Sequence, residues 1–228
     1  MKQLTRMLAA WCLSLMLFTA ARADVLPAGI YTIGEDFPAG SCTISLSGDD
    51  DFVSVYLWGS AVDDHETNGG LIYRSRLKPG ESLGKIPLNE GNILAVRFGS
   101  IDLQPYTGLE LDWEQTNLLL RGIYRIGEDI PAGAYQFACA DSTVSQVILW
   151  KEEVNCREDR GDLFSAALRP GRNDRIRNLA LEEGNVLVIG NSPVLIAPFR
   201  GSDSEEIATP EPTPTPGPTP EPTPEPSL

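Results

Sequence analysis

A twelve-residue segment occurs twice in this chain. Residues 29–40 read GIYTIGEDFPAG and residues 122–133 read GIYRIGEDIPAG, so that ten of the twelve positions are identical. Further along, the Leu-Lys-Pro-Gly of residues 77–80 is matched by the Leu-Arg-Pro-Gly of residues 168–171. Self-similarity at a fixed spacing predicts homologous units with the same fold, and units of roughly 90 residues are long enough to bury a core.

Each unit has the pattern of a series of short strands. The segments 29–33, 41–46, 52–58, 71–77, 82–88 and 92–98 are rich in Val, Ile, Tyr and Thr, and turn residues bound them. No sustained helical periodicity occurs after residue 23. We therefore predict an all-β chain of two tandem antiparallel β-sandwich (jelly-roll-like) modules, at residues 24–115 and 116–202.

The repeated segment is explained by folding rather than by ligand binding. Asp36 can cap a bend with its side-chain oxygens, and the order Phe37-Pro38-Ala39-Gly40 fits a type I turn. The triplets 90–92 and 183–185, both Glu-Gly-Asn, predict tight hairpin turns that need positive φ. The residues given this structural role are Tyr31, Gly34, Asp36, Pro38, Gly40, Tyr124, Gly127, Asp129, Pro131 and Gly133.

Both ends of the chain differ in composition from the repeats. Lys2 and Arg6 precede an apolar run, and residues 21–23 read Ala-Arg-Ala, so residues 1–23 are predicted to be a cleaved signal peptide. Residues 203–228 are rich in Pro, Thr and Glu, and they predict a disordered spacer of polyproline II type. We expect a secreted or cell-surface protein that does not insert in the membrane after cleavage.

Charge excludes one class of partner. The net charge is −14, and loss of Lys2, Arg6 and Arg22 with the signal peptide leaves 15 basic against 32 acidic residues, or −17. A surface of this sign repels nucleic acid phosphates and anionic lipid head groups. We expect no nucleic acid partner.

Three cysteines follow the signal peptide. An exported protein permits disulfides, and Cys139 and Cys156 lie in the second unit on neighbouring strands or their connecting loops. We predict a bridge between them, which would contribute roughly 3 kcal/mol by restricting the unfolded chain. Cys42 is then left over, either as a buried thiol or, less favoured, in an intermolecular bridge.

The sequence offers little for catalysis, metals or cofactors. His65 is the single histidine, and the second unit has none at the matching position, so no repeated Ser-His-Asp or Cys-His arrangement exists. Acidic residues are plentiful, and a carboxylate-dependent glycan hydrolase stays open as an alternative because abundance alone marks no catalytic pair. We predict no enzyme activity, no metal site and no cofactor.

Binding is the most economical role for such a chain. Tyr56 and Trp58 share one face of a predicted strand, and Trp150 recurs at the place of Trp58, so these aromatics are candidate contacts for a sugar ring or a partner protein. Core tryptophans are the competing interpretation. We predict a non-catalytic adhesion or binding module for a cell-wall polymer, glycan or surface protein, with a structural display or spacer protein as the main alternative.

The repeated motif also carries a resemblance. The pattern Tyr-x-Ile-Gly-x-Asp-Ile/Phe-Pro-Ala-Gly, at residues 31–40 and 124–133, resembles that of uncharacterised exported and lipoprotein-type β-domains of Gram-positive bacteria. The resemblance covers little outside these residues. It implies a small β module at the cell envelope, and it supplies no catalytic or binding residues.

Overall fold

The described part of the chain is built from β-strands and contains no helix, hence none long and apolar enough to cross a membrane. The computed structural model describes residues 24–59, 70–152, 162–172 and 174–201. The predicted signal peptide, His65, Cys156 and the proline-rich tail lie outside these residues.

The described residues form sixteen strands, eight in each copy of the repeat. The first copy contains β1 (Asp24–Leu26), β2 (Gly29–Thr32), β3 (Gly40–Ser47), β4 (Val53–Trp58), β5 (Leu71–Leu77), β6 (Ser82–Leu88), β7 (Ile93–Arg97) and β8 (Ser100–Pro105). The second contains β9 (Asn117–Leu119), β10 (Gly122–Arg125), β11 (Gly133–Cys139), β12 (Ser145–Trp150), β13 (Asp162–Leu168), β14 (Arg175–Leu181), β15 (Val186–Gly190) and β16 (Val194–Pro198). The six strands predicted in the first copy are confirmed to within two residues at each end.

The strands pair into four antiparallel sheets of four strands. The first copy forms β1-β8-β3-β6 and β2-β7-β4-β5, and the second forms β14-β11-β16-β9 and β10-β15-β12-β13. The order is the same in both copies when β9 to β16 are matched in turn with β1 to β8. Side chains alternate between the two faces of each strand, so that β4 directs Val53, Val55 and Leu57 into the core.

Two hydrophobic cores hold the sheets together, and the first extends beyond its own copy. It combines residues of both first-copy sheets, such as Ile44 and Leu57, with three buried residues of the second copy, Ile123, Val186 and Val188. The second core uses second-copy residues, among them Phe137 and Ile196. Fully burying an aliphatic side chain contributes about 1.5–3 kcal/mol, so the shared residues bind the two copies firmly to each other.

The predicted architecture of two tandem β-sandwich (jelly-roll-like) modules is therefore wrong as a description of the assembled chain. The described residues form four small sheets, which matches a four-bladed β-propeller in sheet number, although each sheet combines strands that are distant in sequence. The two copies also share a core, because Ile123, Val186 and Val188 of the second copy pack with residues of the first. Strand periodicity predicts which residues are buried, but it does not predict against which sheet they pack.

The repeated motif builds the same turn in each copy. The Asp36 carboxylate accepts the Thr32 backbone N–H at 2.6 Å, and Asp129 accepts that of Arg125 at 2.7 Å. The turn lies earlier than the sequence suggested: Asp36 N–H donates to the Thr32 carbonyl, so the chain reverses over residues 32–36 and not over residues 37–40. Pro38 and Gly40 instead lead into β3, as Pro131 and Gly133 lead into β11.

The other motif residues close the same structure. The Tyr31 hydroxyl donates to the carbonyl of the residue four before it, and the Tyr124 hydroxyl does likewise, at 2.8 and 2.9 Å. Gly34 and Gly127 have φ of 93° and 92°, a region that suits glycine. At Gly34 a Cβ would also lie only 2.9 Å from Cγ of Glu90. The motif is thus explained by backbone geometry, and the positive φ predicted in the Glu-Gly-Asn turns is confirmed at Gly91 and Gly184.

The two copies meet where β6 lies beside β10. The Gly84 N–H donates to the Arg121 carbonyl at 2.7 Å, next to a parallel bridge between the strands. Glycine is required on both sides of this contact. A Cβ on Gly84 would collide with the Tyr124 hydroxyl, and one on Gly122 would lie 2.7 Å from the Lys85 carbonyl oxygen.

Buried charges cross the same junction. Arg121 is 4% exposed, and its guanidinium donates to the Arg76 carbonyl at 2.9 Å and to the Glu81 carboxylate at 3.0 Å. Nearby, the Lys85 ammonium pairs with the Asp129 carboxylate at 2.6 Å, with both side chains almost fully covered. Each pair joins one residue of the first copy to one of the second. Removing one partner of a buried pair is costly, so the Lys85–Asp129 pair helps to fix how the copies are placed. The Glu81 side chain is 44% exposed, so Arg121 contributes mainly through its hydrogen bond to the Arg76 carbonyl.

Candidate functional site: an arginine–aromatic groove

The aromatic residues selected from the sequence lie in different surroundings. Trp58 is 9% exposed, although it shares the outer face of β4 with Tyr56. Trp150 is half-buried against the core of the first copy, and its Nε1 is buried without an acceptor among the described residues. These two tryptophans therefore present little ring surface to a ligand. Tyr56 is half-exposed and remains a candidate contact.

The cysteines give no further site. Cys139 is a half-buried free thiol, while Cys156, its predicted disulfide partner, lies outside the described residues. The Cys42 thiol is buried and points at the Ile86 carbonyl oxygen, 3.6 Å away. Burial raises the pKa of Cys42 to about 12, so this thiol stays protonated at neutral pH and is a poor nucleophile.

A groove of about 430 Å³ opens on the outer face of the sheet β2-β7-β4-β5. Strand pairing determines its contents, because residues opposite each other point to the same side of a sheet. Arg74 lies opposite Tyr56, and Ser54 lies opposite both Arg76 and Arg97. The residues lining the groove are Phe52, Ser54, Tyr56, Arg74, Ser75, Arg76, Phe98 and Asn191.

Aromatic rings and guanidinium groups are interleaved at this surface. The Arg76 guanidinium carbon lies 3.5 Å from the centroid of the Phe52 ring, and that of Arg97 lies 5.6 Å from the Tyr56 ring. The Phe52 and Phe98 rings are 5.5 Å apart and tilted by 44°. Stacking on a ring holds an arginine in place while leaving its N–H groups available to donate hydrogen bonds to an anionic partner.

Phe98 is held in an unfavourable position. It is 65% exposed, and its φ of 68° lies in the left-handed region that bulky side chains avoid. The matching residue of the second copy, Asn191, has φ of 64°, and asparagine tolerates this conformation. Phe98 thus combines backbone strain of roughly 1 kcal/mol with an apolar ring in water, a combination found at binding sites.

Three arginines lie at or beside this groove in a protein of net negative charge. Arg74, Arg76 and Arg97 are all exposed, and none forms an ion pair with a carboxylate among the described residues. The whole chain carries a net charge of −14. Arginine N–H groups match carboxylate, sulfate and phosphate oxygens in a bidentate geometry. The groove is therefore suited to an anionic ligand that also presents an apolar or ring surface.

The described residues of the second copy do not repeat the arginines of this groove. Its residues at the places of Arg74, Arg76 and Arg97 are Ser165, Ala167 and Gly190. The corresponding surface is instead the part of the second copy that packs on the first. We call it the front face of the second copy, and it consists of Ile123, Ile148, Trp150, Val186 and Val188.

Comparison with known proteins adds no assignment. No family model matches this chain, and no curated protein is similar enough to be reported as a relative. The resemblance to exported Gram-positive β-domains stays a prediction. Within the described ranges, no group of three or more His, Cys, Asp or Glu side chains is arranged to hold a metal ion.

Sequence reasoning found one residue of the groove and missed the others. Tyr56 is a candidate because aromatic rings can contact a sugar or a partner protein, whereas that criterion does not select arginines such as Arg74 and Arg76. A signal was present in the repeat: alignment of the copies puts Ser165 and Ala167 at the places of these arginines. Basic residues that one copy has and the other lacks, on alternate positions of one strand, indicate a surface with its own role.

Proposed function

We propose that this protein is an exported, non-catalytic binding module that holds an acidic glycan in the arginine–aromatic groove. The observation that carries the proposal is the arrangement of Arg74, Arg76 and Arg97 beside the Phe52 and Tyr56 rings. Within the described ranges, none of these arginines pairs with a carboxylate. Guanidinium groups bind the carboxylates or sulfates of such a polymer, and aromatic rings pack against its sugar rings. Export to the cell envelope rests on the predicted signal peptide.

The first experiment is a comparison of acidic and neutral glycans, with affinities measured by calorimetry. We expect Arg76→Ala to weaken binding of a uronic-acid or sulfated oligosaccharide about 10- to 100-fold, since a hydrogen bond to a charged group contributes roughly 1.5–3 kcal/mol. Arg76→Lys should recover part of the loss, because lysine keeps the charge without the planar fork. The matched control is Arg172→Ala, an exposed arginine of the second copy.

Two results would contradict this function. Equal binding of neutral and acidic glycans would remove the role of the arginines, and a folded protein that binds neither would favour the display or spacer alternative. Turnover of any oligosaccharide by the purified protein would support the hydrolase alternative instead. Thermal unfolding of each variant establishes that a loss of binding is not a loss of fold.

A further inference from the structure

The shape and chemistry of the groove fit a second kind of occupant. Extended proline-rich segments bind to surfaces lined by aromatic rings, because a polyproline II chain is already extended and loses little entropy on binding. Phe52, Tyr56 and Phe98 supply such rings along one open surface. Arg74 and Arg76 stand beside them and select for acidic residues between the prolines.

The chain itself contains a segment of this composition. Proline occupies every second position from Pro210 to Pro226, and Glu211, Glu221 and Glu225 lie between the prolines. With Asp203, Glu205 and Glu206, residues 202–228 carry six acidic side chains and no basic one. The charge of this segment is thus opposite to that of the groove arginines.

We infer that the acidic proline-rich segment 203–226 docks in the arginine–aromatic groove of its own chain. Its prolines pack on Phe52, Tyr56 and Phe98, and its glutamates pair with Arg74 and Arg76. The inference rests on the proposed function in one respect only, that the groove is a site for anionic ligands. Tail docking goes beyond the proposed function because the occupant is a segment of the protein itself.

Length permits this contact. The described residues end at Gly201, and the 27 residues that follow span roughly 80 Å as polyproline II, at about 3.1 Å per residue. A folded body of this size has a radius of gyration of only about 16 Å. The segment can therefore reach the groove from any point on the surface. Tethering also gives it an effective concentration of roughly millimolar, which makes even weak docking significant.

A docked tail would act as an internal competitor for the glycan. An external ligand would bind with an apparent affinity reduced by the fraction of molecules whose groove is open. Because the contact is between charges of opposite sign near the surface, raising the salt concentration would release the tail. Binding of a long acidic polymer with many contacts would displace it, whereas a short acidic oligosaccharide would compete poorly.

The test uses the full chain and follows the tail by nitrogen-15 relaxation, reading the amides of Thr213, Gly217, Glu221 and Glu225. We expect these amides to move with the folded body in the wild type and to become freely mobile in Arg74→Ala/Arg76→Ala. Arg172→Ala should leave them ordered. A second readout is affinity for a sulfated tetrasaccharide, which should rise about fivefold in Glu211→Gln/Glu221→Gln/Glu225→Gln, as expected when competition is removed. Thr213→Ser/Thr219→Ser keeps the charge and should not change it.

The outcomes separate the two proposals. A tail equally mobile in the wild type and in the double arginine variant overturns the docking. Tail order that disappears on dilution assigns the contact to a second molecule and overturns the intramolecular form. Arginine-dependent glycan binding together with a mobile tail removes this inference and leaves the proposed function standing. Loss of arginine-dependent binding to both tail and glycan removes both.

Discussion

Strand β6 of the first copy and strand β14 of the second occupy the same position in the repeat, yet their surroundings are opposite. In β6 the run from Leu83 to Ile86 is buried, because β10 of the second copy lies alongside. In β14 the matching residues include Arg177 and Asn178, which are exposed. Gly84 has become Arg177 at the place where the other strand approaches most closely. The edge at β6 packs against another strand, whereas the edge at β14 carries exposed polar side chains that disfavour strand pairing.

Two duplicated surfaces differ in the same way. The front face of the second copy is apolar and packs on the first copy, whereas the equivalent surface of the first copy carries the arginine–aromatic groove. Tyr56 has Ile148 as its counterpart, and Arg97 has Gly190. Small changes on one sheet face thus decide between a packing surface and an open groove, while the turn motif stays the same.

The largest effect is expected at the glycine of β6. Gly84→Leu should destabilise the protein by roughly 3 kcal/mol or more, because the new side chain collides with Tyr124 across the junction and backbone would have to move. Arg177→Leu introduces leucine at the equivalent position of the second copy, and it should change stability by about 0.5 kcal/mol or less. Denaturant unfolding of both variants measures the contrast, and equal losses would show that the edges are not different.

A smaller loss is expected for the buried arginine of the junction, whose counterpart in the first copy is Ala28. Arg121→Ala should cost about 2 kcal/mol, mainly from the unsatisfied Ser75 and Arg76 acceptors. The Glu81 side chain is 44% exposed, so its charge stays hydrated and adds little. Glu81→Gln alone should therefore be nearly neutral by chemical denaturation. A cost for Glu81→Gln as large as that for Arg121→Ala would contradict this assignment.

The aspartate of the repeated motif has different contacts in the two copies. Asp36 and Asp129 both accept a backbone N–H in the turn, but Asp129 also pairs with Lys85 across the junction. Asp36→Ala should cost about 1 kcal/mol, as loss of a capping side chain does. Asp129→Ala should cost about 1 kcal/mol more, because it leaves Lys85 covered and without its partner. In the background of Lys85→Met, the difference between the two aspartates should disappear.

Much of the fold was readable from the sequence because strands and turns depend on local chemistry. Alternating apolar residues and the Gly and Asp of the motif predicted the strands of the first copy and the two Glu-Gly-Asn turns. The short strands β1 and β8 were missed, and the turn at residues 32–36 was assigned too late along the chain. Pro38 favours a turn at residues 37–40 in the sequence, whereas Gly34 and Asp36 form the observed bend at residues 32–36.

The candidate site and the junction were less predictable, because both depend on which faces meet. Trp58 and Trp150 are bulky and repeated, which suits a core as well as a binding surface, and the structure covers both of them. The buried role of Arg121 could not be read from the sequence, since a charged residue just before a strand is ordinarily solvated. Alignment of the two copies position by position would have marked it, because Ala28 stands at its place.

Packing of the second copy on the first has a consequence for valency. Duplication of a binding unit ordinarily yields a protein with two equivalent binding sites for the same ligand. In the part of the chain that the structure describes, the second copy's face packs on the first copy, so one of the two equivalent faces is left as an open groove. Strong attachment to a polymer with many acidic groups would then come from many molecules side by side on a surface, not from the repeat within one of them.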